Sequence, residues 1–326
     1  MYFEKDASLH DIEGEVVAVV GYGIQGKAFA ANLRDSGVPV VVGNIDDSYR
    51  EAAVADGFDT RTIAEAVEAA SIVLLLIPDE AHQEVYDTQI APGLRDGDLF
   101  VLAHGFSLLY ERITPPPGTD VALLAPKMFG KPIRQRYKDG SGVLAFLDVV
   151  EDRTGRALAR ILAVAKAVGF TRYGVLPVPL ATETELDLFQ EQFLTPLLLD
   201  AFRTAFEVLV DAGCDPVPAL LDMHASGEMA EMMVEAATTG IYEVIEEQGS
   251  PTCRFGVQKY LGTLMGPEVR AKGIRILAEI RNGGFVAELS REAQAGYPSL
   301  DDYEAAYKAA AMTRAHDRYR AILGKP

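Results

Sequence analysis

The segment Val16-Val17-Ala18-Val19-Val20 is a continuous apolar, largely β-branched run. A strand covered on both faces of a sheet has this pattern, because neither set of alternate side chains meets water. The run stops at Gly21, and a helix-like stretch follows over 27–36. Further apolar runs stand at 38–42, 72–77, 99–103 and 121–125, with helical patterns around 61–70 and 80–90 between the earlier ones. This alternation predicts an α/β fold built on a Rossmann-like, doubly wound parallel sheet. From about Ala181 the alternation gives way to long helical stretches. We therefore expect two domains, an α/β domain over 1–180 and an all-α domain over 181–326, with Pro196 kinking or interrupting the first long helix.

The turn after the first strand reads Gly21-Tyr22-Gly23-Ile24-Gln25-Gly26. This is G-x-G-x-x-G between strand and helix, the setting in which it binds a dinucleotide. Gly21 permits the tight turn, Gly23 lets the backbone approach a pyrophosphate, and Gly26 lets helix and strand pack closely. The helix N-terminus adds free N–H groups and a positive partial charge. The second apolar run ends at Gly43-Asn44-Ile45-Asp46-Asp47, with Asp46 twenty residues beyond Gly26. A carboxylate there, Asp46 or Asp47, accepts hydrogen bonds from the adenosine ribose and repels a 2′-phosphate, so NAD(H) is favoured over NADP(H). Three polar groups follow later strand ends: Pro78-Asp79-Glu80, His104-Gly105 and Pro126-Lys127. Ligands in such sheets lie beyond the carboxyl ends of strands, which makes these groups site candidates.

Composition narrows the function classes. The formal charge is −18 over 326 residues. So acidic a surface repels phosphate backbones, and no nucleic-acid partner is expected. The opening MYFEKDASLHDIEGE has no apolar signal-peptide core, and no segment offers the uninterrupted apolar length of a membrane span, so a cytoplasmic, non-membrane protein is expected. Two cysteines, Cys214 and Cys253, make neither a disulfide framework nor a metal cluster.

In the helical half, Glu183, Glu185, Asp187 and Glu191 place four acids within nine residues. Asp187 and Glu191 are four apart, so on a regular helix both project from one face, where a hard divalent cation such as Mg²⁺ relieves their repulsion. A later helical pattern carries His224 and Glu228 at the same spacing, with Glu231 and Glu235 after them. A solvated acidic face is the competing reading of both segments.

Taken in order, these motifs resemble those of the short-form ketol-acid reductoisomerases over most of the chain. GYGIQG stands where that family has GYGSQG, Leu76-Ile77-Pro78-Asp79-Glu80 resembles LLPDE, Ala103-His104-Gly105-Phe106 resembles AHGF, and Ala125-Pro126-Lys127 resembles APK. Residues 183–192 read ETELDLFQEQ against ETETDLFGEQ, and Arg281-Asn282-Gly283-Gly284-Phe285 is similar to I-Q-x-G-x-F. The resemblance implies an enzyme that uses Mg²⁺ to drive an alkyl shift in a small 2-hydroxy-3-keto acid and then reduces the product with a nicotinamide cofactor. It implies metal ligation by Asp187 and Glu191, active-site roles for His104 and Lys127, and at least a homodimer whose helical domains complete each site.

Departures cluster around substrate and metal. Where the family has E-x-x-x-E on the next helix, alignment through Gly240-Ile241 supplies His224 and Glu228, whereas alignment through His224 supplies Leu221 and Ala225. APKGPGH becomes Ala125-Pro126-Lys127-Met128-Phe129-Gly130-Lys131, and SNTAEYG becomes Ser250-Pro251-Thr252-Cys253-Arg254-Phe255-Gly256, which keeps Ser250 as the substrate-binding serine. These changes lead us to expect a reductoisomerase-like enzyme with a changed substrate, a small branched or functionalised hydroxy acid of specialised metabolism. Family relatives that form cyclopropanols from sulfonium-bearing hydroxy acids are one precedent. The alternatives are an ordinary reductoisomerase converting acetolactate to dihydroxyisovalerate in branched-chain amino-acid synthesis, and a non-catalytic nucleotide-binding protein.

Overall fold

In the computed structural model, which describes residues 1–324, the chain forms two compact units that meet in sequence at Leu186/Asp187. The boundary expected at 180/181 thus falls a short way earlier than the observed division. The first unit carries strands β1 (Val17–Val20), β2 (Val40–Gly43), β3 (Asp59–Arg61), β4 (Ile72–Leu75), β5 (Leu99–Leu102), β6 (Asp120–Pro126), β7 (Ala145–Glu151) and β8 (Val175–Pro177). Its helices are α1 (Ile24–Asp35), α2 (Ser48–Ala55), α3 (Ile63–Glu68), α4 (His82–Val85), α5 (Phe106–Leu109), α6 (Gly130–Asp139) and α7 (Ala157–Ala167).

The eight strands form one sheet in the order β3-β2-β1-β4-β5-β6-β7-β8. Val17 pairs in parallel with Val40 on one side and with Ile72 on the other. Strand order therefore reverses beside β1, and the crevice beyond its carboxyl end is the topological switch point where such sheets bind ligands. The parallel reading has one exception: β7 runs antiparallel to β6, with Ala145 opposite Pro126. Helix α6 packs along α1 rather than crossing the sheet, so the chain re-enters at the end where β6 finished. Alternate strand positions feed two cores. Val17, Val19, Phe29, Leu33 and Ile161 fill one face, while Ala18, Val20, Val67, Tyr86 and Phe100 fill the other.

A buried ion network fastens the ends of the strands. Arg160, only 3% exposed, donates to Glu15 Oε2 at 2.6 Å, to the carbonyls of Ser71 at 2.8 Å and Gly97 at 2.9 Å, and lies 3.5 Å from Asp120 Oδ2. Asp120 in turn accepts from the Arg153 and Thr154 N–H groups and from the Thr154 hydroxyl. At the other end of this unit's sequence, Tyr2 and Val175 exchange both backbone hydrogen bonds.

The second unit is helical: α8 (Leu180–Phe189) leads into it, followed by α9 (Thr195–Asp211), α10 (Pro216–Leu220), α11 (Glu228–Thr239), α12 (Glu243–Gln248), α13 (Pro251–Tyr260), α14 (Pro267–Arg281), α15 (Gly284–Gln294), α16 (Pro298–Lys308) and α17 (Ala311–Ile322). Phe206, Ala219, Leu220 and Ala315 are its buried centre. Pro196 does not stop its helix. A π-helical turn, Gln190–Leu194, precedes it, and the proline takes the first turn of α9. The widened turn absorbs the missing N–H and the ring, which a regular α-helix cannot. Among the described residues no helix is long and apolar enough to cross a membrane.

Candidate active site

The glycine motif forms the cradle that its sequence context predicts. Gly21 has φ +96°, and a Cβ there would lie 2.8 Å from the Leu76 carbonyl oxygen, so only glycine fits. A Cβ on Gly26 would sit 1.8 Å from the Gly21 carbonyl oxygen, whereas one on Gly23 meets nothing within 4 Å. Gly23 thus faces open space at the N-terminus of α1, where a pyrophosphate would lie. Asn44, 6% exposed, accepts from the Tyr22 N–H at 2.9 Å and donates to Asp47 Oδ1 at 2.8 Å. Gln25 donates to the Met128 carbonyl at 3.0 Å, tying this loop to the segment after β6. Its Oε1 is buried and makes no hydrogen bond. A cavity of about 520 Å³ opens beside the loop, walled by Gly23, Gln25, Asn44, Asp47, Ile77 and Pro78.

The two aspartates that sequence reading left as alternatives part company here. Asp47 caps α2, accepting from the Tyr49 and Arg50 N–H groups, and it lies on the cavity wall. Asp46 is exposed and lies outside that lining. The physical reason is local: a helix starting at Ser48 needs an acceptor at the preceding residue, which turns Asp47 inward.

Beyond β4 and β5, Asp79 Oδ2 is 2.6 Å from His104 Nδ1. His82, 2% exposed, stands behind this pair with Nδ1 2.9 Å from Ser107 Oγ and 3.6 Å from Asp79 Oδ1. Its Nε2 lies 3.0 Å from the Ile77 carbonyl, which only an N–H can satisfy. His82 therefore carries a hydrogen on Nε2, and burial pushes its pKa below the ordinary histidine value. Lys127, at the end of β6, donates to Glu183 Oε1 at 3.2 Å, and Glu183, 1% exposed, also accepts from the Gly105 N–H at 3.4 Å. Gly105 is obligatory, since a Cβ would meet Thr184 Oγ1 at 2.2 Å. Sequence reading missed His82 and Glu183 as site residues. Glu183 carried a usable signal, lying four residues before Asp187, but it was read as part of a solvated face.

In the helical unit, Asp187 is half-buried on α8 and Glu191 is exposed within the π-helical turn. There, residues four apart no longer stack as in a regular helix. His224 and Glu228 do not share a helix, contrary to the sequence expectation. Gly227, at φ 93°, breaks the chain between a π-helical turn, Leu221–Ala225, and α11. The His224 ring packs between Phe202 and His316, at 5.7 and 6.3 Å, with Nδ1 buried and making no hydrogen bond. Burial first, and His316 second, depress its pKa. Glu228 instead borders a cavity of about 470 Å³ with Asp222, Glu231, Glu235 and Cys253. Ser250 caps α13, accepting from the Cys253 N–H at 3.3 Å, and Arg254 is ion-paired with Glu246. Among the described residues, no three His, Cys, Asp or Glu side chains are grouped to hold a metal ion, so Asp187, Glu191, His224 and Glu228 do not converge within one chain. By donor chemistry, the carboxylates of Asp187, Glu191 and Glu228 suit a hard divalent cation, and the enclosed His224 ring does not.

Comparison with known proteins agrees with this geometry. Residues 11–174 match the family model "Acetohydroxy acid isomeroreductase, NADPH-binding domain", and residues 180–324 match "Ketol-acid reductoisomerase, C-terminal domain". The chain is 39% identical over 307 residues to a ketol-acid reductoisomerase (NADP(+)) of Caldivirga maquilingensis, covering 92% of this chain and 91% of that protein. It is 40% identical, with the same coverage, to one of Pyrobaculum calidifontis. Among solved structures, an NADH-preferring ketol-acid reductoisomerase from an uncultured archaeon superposes with a TM-score of 0.93 at 32% identity, covering 98% of both chains. A semialdehyde dehydrogenase NAD-binding protein from Cupriavidus necator shares the fold, with a TM-score of 0.63 at 18% identity over 82% of this chain and 99% of that one.

Proposed function

This chain belongs to the ketol-acid reductoisomerase family, and we propose that it is an NAD(H)-linked, divalent-metal-assisted reductoisomerase acting on a small 2-hydroxy-3-keto acid. The observation that carries this reading is the switch-point cradle, with two hydrogen-bonded polar pairs beyond neighbouring strand ends, Asp79–His104 and Lys127–Glu183.

Gly23 and the α1 N-terminus would receive the pyrophosphate, and Asn44 and Asp47 the adenosine ribose. Asp47 is held on the wall by Asn44 and by the first turn of α2, so a 2′-phosphate would meet a fixed negative charge. The NADH preference stated for the archaeal relative is in keeping with this, although the two sequence relatives are named for NADP(+). When bound, the nicotinamide would supply a hydride, and Mg²⁺ held by Asp187, Glu191 and Glu228, the last from a second copy of the chain, would polarise the substrate oxygens. Asp79 fixes the proton of His104 on Nδ1, which leaves Nε2 as the proton acceptor. Glu183 holds the Lys127 ammonium in place as a cation for developing oxyanion charge. Ser250, its hydroxyl hydrogen uncommitted by capping, would hydrogen-bond substrate. We place the working enzyme in the cytoplasm as a homodimer or larger homo-oligomer.

A second reading concerns the substrate. The cavity bordered by Asp222, Glu228, Glu231 and Glu235 favours a cationic substituent, as in a sulfonium-bearing hydroxy acid of specialised metabolism. The test is nicotinamide absorbance with purified protein, 2-acetolactate and NADH or NADPH, each with Mg²⁺ and with chelator. Mg²⁺-dependent NADH oxidation that falls roughly a hundredfold in Asp187→Asn supports the main reading. Turnover indifferent to chelator would make this a simple dehydrogenase. Silence toward acetolactate, with NADH bound and a sulfonium hydroxy acid turned over, would favour the second reading.

A further inference from the structure

A second cavity of the first unit adjoins the nucleotide pocket. It is a groove of about 930 Å³ floored by α1 and walled by α2 and α6. Five basic side chains border it, Lys27 and Arg34 from α1 and Lys131, Arg134 and Lys138 from α6, against one acid, Asp56, among the described residues. In a chain of net charge −18 this is a local reversal of sign. Structural partners account for some of these cations. Lys27 lies 2.8 Å from Asp56, the Arg34 guanidinium stacks on Phe58, and Arg134 is hydrogen-bonded to Asn32 and paired with Asp35. Lys131 and Lys138 are different: both are exposed, and neither makes an ion pair or hydrogen bond among the described residues.

The arrangement has a length and a texture. Lys131 and Lys138 are seven residues apart on one helix, which is about 10 Å along its axis. Lys27 and Arg34 repeat that spacing on α1. Between these ends the lining is small and apolar, Ala28 and Ala31 from α1, Ala52 from α2 and Gly130 from α6, with Tyr49 beside them. Among the described residues Lys131 and Lys138 have no counter-charge of their own, and an anion that spans them is attracted by both. The groove shares Tyr22, Gly23, Ile24 and Tyr49 with the nucleotide pocket, but Arg34 and Lys138 line the groove alone. A phosphate belonging to the dinucleotide therefore does not account for the groove's far end.

We propose that this groove is a second ligand site, for an organic polyanion of nucleotide size that carries two separated phosphate-like charges on a partly apolar frame. The inference is independent of the redox reading, because none of the groove's basic residues is assigned to the reaction.

The test is calorimetric titration of the full chain, saturated with NADH so that the dinucleotide pocket is filled, with adenosine 3′,5′-bisphosphate as probe. Binding that weakens as salt is raised is expected, with adenosine and inorganic phosphate each bound at least about tenfold more weakly. Lys138→Glu, and more so Lys131→Glu with Lys138→Glu, should weaken the probe about tenfold or more per reversal. The melting temperature and, for Lys138→Glu, the NADH affinity should be unchanged. Probe binding that is unaltered in both variants, is matched by adenosine, or is abolished by NADH overturns the proposal. So does a salt-sensitive self-association that the reversals abolish while no probe binds, since the groove would then receive an acidic face of a second copy.

Discussion

Asp79→Asn tests the hydrogen bond that holds the His104 proton on Nδ1. In the native chain Asp79 Oδ2 and His104 Nδ1 are 2.6 Å apart, with the two side chains 25% and 20% exposed. A charge-assisted hydrogen bond of that kind contributes about 1.5–3 kcal/mol. An asparagine can turn either its oxygen or its NH₂ toward Nδ1, so both imidazole tautomers become accessible and only one leaves Nε2 as acceptor. If the contact is fully expressed in the transition state, kcat should fall roughly ten- to a hundredfold. The variant is isosteric, keeps a neutral hydrogen bond to His104, and leaves Ser107 and the Ile77 carbonyl holding His82 from behind, so the melting temperature should fall by no more than a few degrees. The assay is single-turnover NADH oxidation with the substrate that the native protein turns over, alongside a fluorescence titration of NADH binding. A kcat within about twofold of native would refute the reasoning. So would an equal loss in NADH affinity, which would make Asp79 part of the cofactor wall.

Other outcomes follow from the same geometry. Arg160→Met strips the counter-ion from the buried Asp120 and removes the side-chain donor to the Gly97 carbonyl, so about 3–5 kcal/mol of stability should be lost, with a melting temperature lower by roughly 10 °C; a change of a degree or two would mean that the network is replaceable. Gly23→Ala and Gly26→Ala should separate function from folding. The first adds a methyl in open space and should weaken NADH about tenfold at constant stability, while the second drives a methyl into the Gly21 carbonyl and should lower the urea midpoint. Identical behaviour of the two would contradict the cradle. His82 is held neutral with a depressed pKa, so the unfolded chain takes up a proton that the folded chain refuses as pH falls below about 6.5. Stability should therefore decline from pH 7 toward 5, and less steeply in His82→Gln; equal slopes in urea titrations would remove His82 as the source.

The sequence was most legible where burial is symmetric. The runs read as strands at 38–42, 72–77, 99–103 and 121–125 each overlap an observed strand, because a fully covered parallel strand is apolar throughout. Edge strands lack that signal. β3 is Asp59-Thr60-Arg61, and β8 is a three-residue strand ending in proline. β7 alternates buried and half-exposed positions around Asp148, and its direction depends on where α6 packs, a tertiary outcome that no local pattern encodes. The same division holds at the site. Gly21 and Gly26 were readable because backbone geometry forces their identity, and Gly23 because it completes their spacing. His82 and Glu183 were not, because a buried acid or histidine looks like any other until its partner is placed. The His224–Glu228 spacing misled because a single left-handed glycine, Gly227, ends helical arithmetic.

Two long-range ties in the first unit bear on when it can fold during synthesis. Arg160 holds Glu15, Ser71 and Gly97 together, and Tyr2 pairs with Val175. Residues that leave the ribosome before the rest of this unit are thus among the last to be secured. At typical elongation rates the interval between residues 15 and 160 lasts roughly ten seconds or more. For that time β1 and its glycine turn have strand neighbours but no ionic clasp. Nascent-chain pulling-force or pulse-proteolysis profiles should therefore place the onset of protection just after residue 175 clears the exit tunnel, before the helical unit has emerged.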